Sequence, residues 1–468
     1  MSLHSRARLA ALTALPVLTV ALGLPLLTQP AGAATSDVHI NEVESNGDSA
    51  GDWVEILNTG TAAVDVSGWG IVDDDSSHSP VRIPSGTVLQ PGGYRVVTVE
   101  PGFGLGAADE ARLLTASGTV VDATSWSAHA STTWGRCPNG TGAFATTSAA
   151  TKGAANRCPV PTQAWPGGST VVTADGANVL GSDLSGLAFQ GSGTLWAAQN
   201  SGRLWRLVPN GSGGWKPDTT SGWTSGKSVR FPGGSGAPDA EAVALTDAGA
   251  SAGVFVGSER DGSSSTSRLS VLRYDVSGST TSLTATREWN LTADLPSVSS
   301  NGGIEALTFV PDAALTAAGF RTGAGTAYDP AGYPAHFGGI FLVGIETGGA
   351  VHGYVLNEAG GFTRVTSFAS GLAGVMDLEW EPALATLWAV CDDTCSGKAA
   401  TFGITTGGSF TAKAVHDRPS GLPDYNDEGF AIAPQSECVS DRKPVVWADD
   451  GNDGGHALRT GTVSCSGR

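Results

Sequence analysis

From Val38 to Asn156 apolar and polar residues alternate with period two in short runs, separated by Gly, Pro and Asp turns; Trp53–Leu57, Val64–Val66, Tyr94–Val99 and Ala111–Leu114 are examples. The pattern predicts about seven short strands, the content of an immunoglobulin-like β-sandwich over residues 34–157. A different regularity follows. An acidic or small residue opens a short apolar strand, a loop intervenes, and a second strand ends in a carboxylate or amide. The opening strands are Asp183–Phe189, Asp239–Leu245, Ile304–Phe309, Met376–Trp380 and Asp427–Ile432. Their partners are Leu195–Gln199, Val254–Glu259, Ile340–Glu346, Leu387–Asp392 and Val445–Asp449. A repeat of about 40–70 residues built only from strands and turns predicts a β-propeller over residues 169–468. Five blades are expected, or six if the stretch between Phe309 and Ile340 holds another. Ser169–Ala174 is expected to complete the last blade, since a missing strand leaves an open edge. The proline-rich, aperiodic residues 158–168 read as a linker. The expected fold class is all-β.

Residues 1–33 stand apart from this pattern. Arg6 and Arg8 precede an apolar stretch broken by Pro16 and Pro25, and Ala31–Ala33 supplies small residues for cleavage. That is an export signal, so a secreted, extracellular protein is expected. No later segment is long and apolar enough to span a bilayer. Losing Arg6 and Arg8 moves the formal net charge from −18 to −20. So acidic a surface repels phosphate backbones, which argues against nucleic-acid partners and favours cations. The six cysteines are even in number, as disulfides in an exported chain require. Nearest-neighbour pairing gives Cys137 with Cys158, Cys391 with Cys395 and Cys438 with Cys465.

Candidate chemistry lies in the carboxylates. Aligned on Pro311, Pro382 and Pro434, the opening strands place Glu305 and Glu428 at equivalent positions, and Glu241 matches them when counted from its strand's last apolar residue. The first repeat has Ser185 there. The fourth has Met376, with Asp377 one residue later, so Asp377 shares the site only if its strand is bulged. Second-strand ends add Glu259, Glu346, Asp392 and Asp449, and Asp239 opens the second repeat. Such crowded carboxylates need a divalent cation, basic partners or protonation. Hard oxygen donors without cysteine suit Ca²⁺. The candidate ligands are Glu241, Glu305, Glu428, Glu259, Glu346, Asp239 and Asp377. The same residues also suit solvated strand edges or turn caps.

Several motifs carry family resemblances. Ile40–Asn46, Asp52–Asn58, Val64–Trp69, Asp73–Asp75, Leu89–Tyr94, Phe103–Gly106 and Val121–Asp122 with Trp126 resemble the lamin-tail domain, which implies an immunoglobulin-like sandwich with an accessory role. Asp239–Leu245 with Gly257–Gly262, Ile304–Phe309 and Asp427–Ile432 resemble the phytase-like, or esterase-like-phytase, propeller family. That resemblance implies several Ca²⁺ ions in an acidic channel, with Glu241, Glu305 and Glu428 as ligands and Glu259 and Glu346 near them. The lysine-rich phosphate-binding runs expected of a true phytase are missing. The expected function is a secreted calcium-binding protein with Ca²⁺-dependent phosphoesterase or esterase activity, acting as a monomer on a phosphoester. The rival is a non-catalytic binding or adhesion module for a cell-envelope component, with calcium as a structural ion. No catalytic side chain is assigned.

Overall fold

The alternation over the first part of the chain resolves, among the described residues, into two main sheets beside a two-stranded one of Val64–Asp65 and Val88–Leu89. Ala143–Thr146, Trp134–Cys137, Val38–Glu44, Trp53–Asn58 and Tyr94–Thr98 form one; Val81–Arg82, Gly70–Val72, Asp109–Leu114 and Val120–Trp126 form the other. Val38, Ile40, Val54, Ile56 and Val97 share a core with Ile71, Ala111, Leu113 and Trp126. The computed structural model describes residues 37–467 except 47, 49, 50, 101, 131 and 263. The export segment expected over residues 1–33 lies outside them. The chain divides into two units, Met1–Pro159 and Val160–Arg468.

In the first unit the period-two reading fails in one respect. Every residue of Trp53–Asn58 is buried, the polar ones included. Asn41 Nδ2 donates to Glu55 Oε1 and to Asn156 Oδ1, both at 3.0 Å, and Gly153 N donates to Glu55 Oε2 at 2.5 Å. The segment around Gly153 and Asn156 therefore covers a face that alternation alone assigns to solvent. Burial pushes the Glu55 carboxyl up to about 7.

Among the described residues the second unit is built from five sheets, one for each sequence repeat. Their opening strands are Leu184–Gln190, Pro238–Ala244, Ile304–Pro311, Asp377–Glu381 and Asp427–Ile432, each antiparallel to the strand that follows it. Each opening strand packs beside the next one, and Asp427–Ile432 packs beside Leu184–Gln190. The approach is close enough to require small residues. A Cβ on Gly186 would lie 2.6 Å from Ala242 Cα, and one on Gly429 would lie 2.3 Å from the Ser185 carbonyl oxygen.

Val172–Thr173 pairs antiparallel with Leu458–Ser464, so the segment expected to complete the last repeat is a strand of its sheet. The stretch between Phe309 and Ile340 holds the helix Asp312–Ala317 and a short 3₁₀ turn, Pro330–Gly332; among the described residues it contributes no sixth sheet. Residues 158–168, read as a linker, are partly sheet. Thr162–Gln163 runs parallel to Phe410–His416 at the outer edge of the fourth sheet, and Trp165 packs against Trp388, Phe430 and Trp447. Prolines that rule out a central strand are tolerated at such an edge.

The three cysteine pairs are disulfide-bonded as expected. Among the described residues no helix is long and apolar enough to cross a membrane.

Candidate metal centre

Three opening strands carry one extra residue at the same place. Ala240 faces Ser258 and Ala242 faces Gly257, leaving Glu241 unpaired between them. Glu305 and Glu428 occupy the same position in their own strands. A β-bulge breaks the alternation and re-aims the bulged side chain. Here it turns three glutamates from three sheets toward one point: an oxygen of each lies within 4.8 Å of the others. The first sheet has an irregular step at Ser185 and Gly186, and the Ser185 hydroxyl donates to the Glu241 carbonyl at 2.6 Å.

Asp377 does not join this group, which corrects the expectation. Its strand pairs in regular register, without the bulge that joining required. Its carboxylate instead accepts from Leu187 N at 3.1 Å, Phe430 N at 2.8 Å and Leu378 N at 2.8 Å. Asp377 thus ties the fourth opening strand to the first and the fifth.

Two further groups extend the cluster with the same 4.8 Å spacing: Asp239–Glu241–Glu259 and Glu259–Glu305–Glu346. Each shares a glutamate with the central three. Gly303 N donates to Glu259 Oε1 at 2.6 Å and fixes that side chain. Arg260 Nε pairs with Asp239 Oδ2 at 2.6 Å, and its Nη1 lies 3.7 Å from Glu259 Oε2. The two remaining strand-end carboxylates have other partners. Asp392 accepts from Thr394 N at 3.1 Å, capping a turn. Asp449 accepts from Asp453 N at 2.9 Å and from Arg459 Nη2 at 3.3 Å.

Asp450, in the Asp449–Gly455 stretch whose composition resembles a calcium loop, lies beside the cluster. Asn426 Nδ2 bridges it to Glu428, at 3.2 Å and 2.9 Å respectively. Asp450 lies one residue beyond the end of its second strand, Arg442–Asp449.

Burial raises every carboxyl in the cluster. Glu241 and Glu305 are pushed well above the usual range, chiefly by desolvation and then by their acidic neighbours, and Glu428 to about 8 for the same reasons. Asp239, Glu259 and Glu346 also rise, desolvation first. Glu241 Oε2, Glu346 Oε2 and Glu428 Oε2 are buried without a hydrogen-bond partner. Two unit charges at this spacing repel by about 3 kcal/mol at an effective dielectric of 20. Arg260 offsets only one side of the cluster. Closely spaced, hard, partnerless oxygens are what a divalent cation of the Ca²⁺ type requires, so the donor set fits one.

Residues 31–128 match the lamin tail domain family, and residues 181–378 match the phytase-like family described as esterase-like activity of phytase. They lie in the order that the sequence motifs indicated. No curated protein matches the chain. Among solved structures, a protein from Lactobacillus plantarum aligns at 11% identity over 88% of this chain and 90% of its own, with a TM-score of 0.31. A chain titled as a mitotic checkpoint complex structure aligns at 11% over 95% and 99%, with a TM-score of 0.29. Likenesses this weak carry no argument about fold or function.

Proposed function

We propose that this lamin-tail and phytase-like chain is an exported, calcium-dependent phosphoester hydrolase. On this reading the five sheets are the blades of a β-propeller, and the carboxylate cluster sits at one end of its channel. The observation that carries the reading is the meeting of Glu241, Glu305 and Glu428 within 4.8 Å from three separate sheets, with Glu241 Oε2 and Glu428 Oε2 left partnerless. Glu241, Glu305 and Glu428 would hold one cation, and Asp239, Glu259 and Glu346 would extend the site. Bound calcium would supply positive charge and Lewis acidity toward the phosphoryl oxygens of a substrate. The chain's own residues position that charge. The bulges aim the glutamates, Gly303 N orients Glu259, and Arg260 holds Asp239 beside it. The acidic cluster alone would repel a phosphoester, so substrate binding depends on the cation.

The test is hydrolysis of p-nitrophenyl phosphate by the full chain. Activity with Ca²⁺ that disappears with chelator and returns on re-addition is the expected result. If chelation lowers only the melting temperature and no ester is cleaved under any condition, the chain is a binding module with structural calcium.

The cluster also sets a pH dependence. The Glu428 carboxyl rises from an ordinary value of 4.5 to about 8 in the folded protein. Between those values the folded state binds more protons than the unfolded state, so cation-free stability falls as pH rises. The melting temperature of the chelated protein should drop between pH 5 and 8. Saturating Ca²⁺ should restore it, with a larger gain at pH 8, because cation and protons compete for the same oxygens.

A further inference from the structure

The opening strands run away from the carboxylate cluster, and their far ends line a separate cavity of about 310 Å³. All five contribute to it, and Leu245 at its wall lies four residues beyond Glu241, about 13 Å along an extended strand. Phe189, Leu245, Phe309 and Trp380 give it an apolar, partly aromatic side, and Gln190, Thr246 and Thr308 a polar one. Glu379 and Asp247 are its acidic groups, and no lysine, arginine or histidine lines it.

Neither acid has a basic partner within ion-pair distance among the described residues. Lys443, whose charge acts on Glu379, is engaged with Glu381 Oε1 at 2.6 Å. Burial pushes the Glu379 carboxyl well above the usual range, and the Asp377 carboxylate adds to the rise while Ile432 N–H opposes it. Burial also raises Asp247. Trp380 is 6% exposed, and its indole Nε1 has no acceptor. An acid without a basic partner beside aromatic side chains, in a chain of net charge −18, disfavours anions and is completed by positive charge.

We propose that this cavity is a binding site for a small organic cation, an ammonium group on an apolar body, with the ammonium at Glu379 and Asp247 and the body against Phe189, Phe309 and Trp380. The site is separate from the metal cluster and does not depend on how that cluster is read.

Three probes of one shape and different charge test it: benzylammonium, benzyl alcohol and benzoate, titrated into the full chain with tryptophan fluorescence and calorimetry as readouts. Benzylammonium should bind at least about 10-fold more tightly than benzyl alcohol, the ratio expected of one charge-assisted hydrogen bond. Benzoate should bind least. Glu379→Gln, and independently Asp247→Asn, should bring benzylammonium toward the benzyl alcohol affinity, while Glu305→Gln leaves it unchanged. Equal binding of the alcohol and the ammonium to the unmodified protein would overturn the proposal. So would no binding of benzylammonium at millimolar concentration, or undiminished binding to both cavity variants.

Discussion

Glu305→Gln should lower p-nitrophenyl phosphate turnover and Ca²⁺ affinity by about 100-fold or more, the scale of removing one preorganised electrostatic group from a reaction centre. Glu305 belongs to two of the three acidic groups, Glu241–Glu305–Glu428 and Glu259–Glu305–Glu346, so its charge acts on both sides of the cluster. The amide keeps the shape and loses the charge. The same substitution should stabilise the cation-free protein, because a buried carboxyl facing Glu241, Glu428, Glu259 and Glu346 no longer ionises. Loss of binding together with a raised cation-free melting temperature separates this account from a general folding defect. A variant that keeps full Ca²⁺ affinity would remove Glu305 from the site.

Asp377→Ala should destabilise the protein by about 3 kcal/mol or more, since it strands backbone N–H groups of three strands in the interior. Leu187, Leu378 and Phe430 all donate to this one side chain, which is fully buried. Asp377→Asn keeps one acceptor oxygen and should cost about half as much. Denaturant unfolding of the full chain, followed through its tryptophans, measures both. Ca²⁺ affinity at the native baseline should be unchanged in either variant, because Asp377 holds strands together and lies outside the acidic groups. A cost below about 1 kcal/mol for the alanine variant would contradict that role.

The same residue marks what the sequence made legible. Opening and second strands were readable because their apolar runs are bounded by turn residues, and Glu241, Glu305 and Glu428 could be matched because each lies at one fixed step in its strand. Period-two logic fails wherever a strand is bulged or buried on both faces. The bulges that aim the three glutamates cannot be seen in composition, and their absence from Asp377–Glu381 is what excludes Asp377. Glu55 and Asn41 in the first unit, at 0% exposure, are hidden for the second reason. Thr162–Gln163 was missed because its flanking prolines resemble a linker, and the strand it joins, Phe410–His416, lies some 250 residues away. The cavity at Glu379 depends on five strand ends converging, which no single segment encodes.

The most direct test of the central claim is calorimetric titration of Ca²⁺ into the cation-stripped full chain and into a Glu241→Gln, Glu305→Gln, Glu428→Gln triple variant. The account predicts saturable binding by the unmodified protein that is lost in a triple variant which still melts cooperatively. Identical binding by both proteins, or none by the unmodified one at millimolar Ca²⁺, would contradict it.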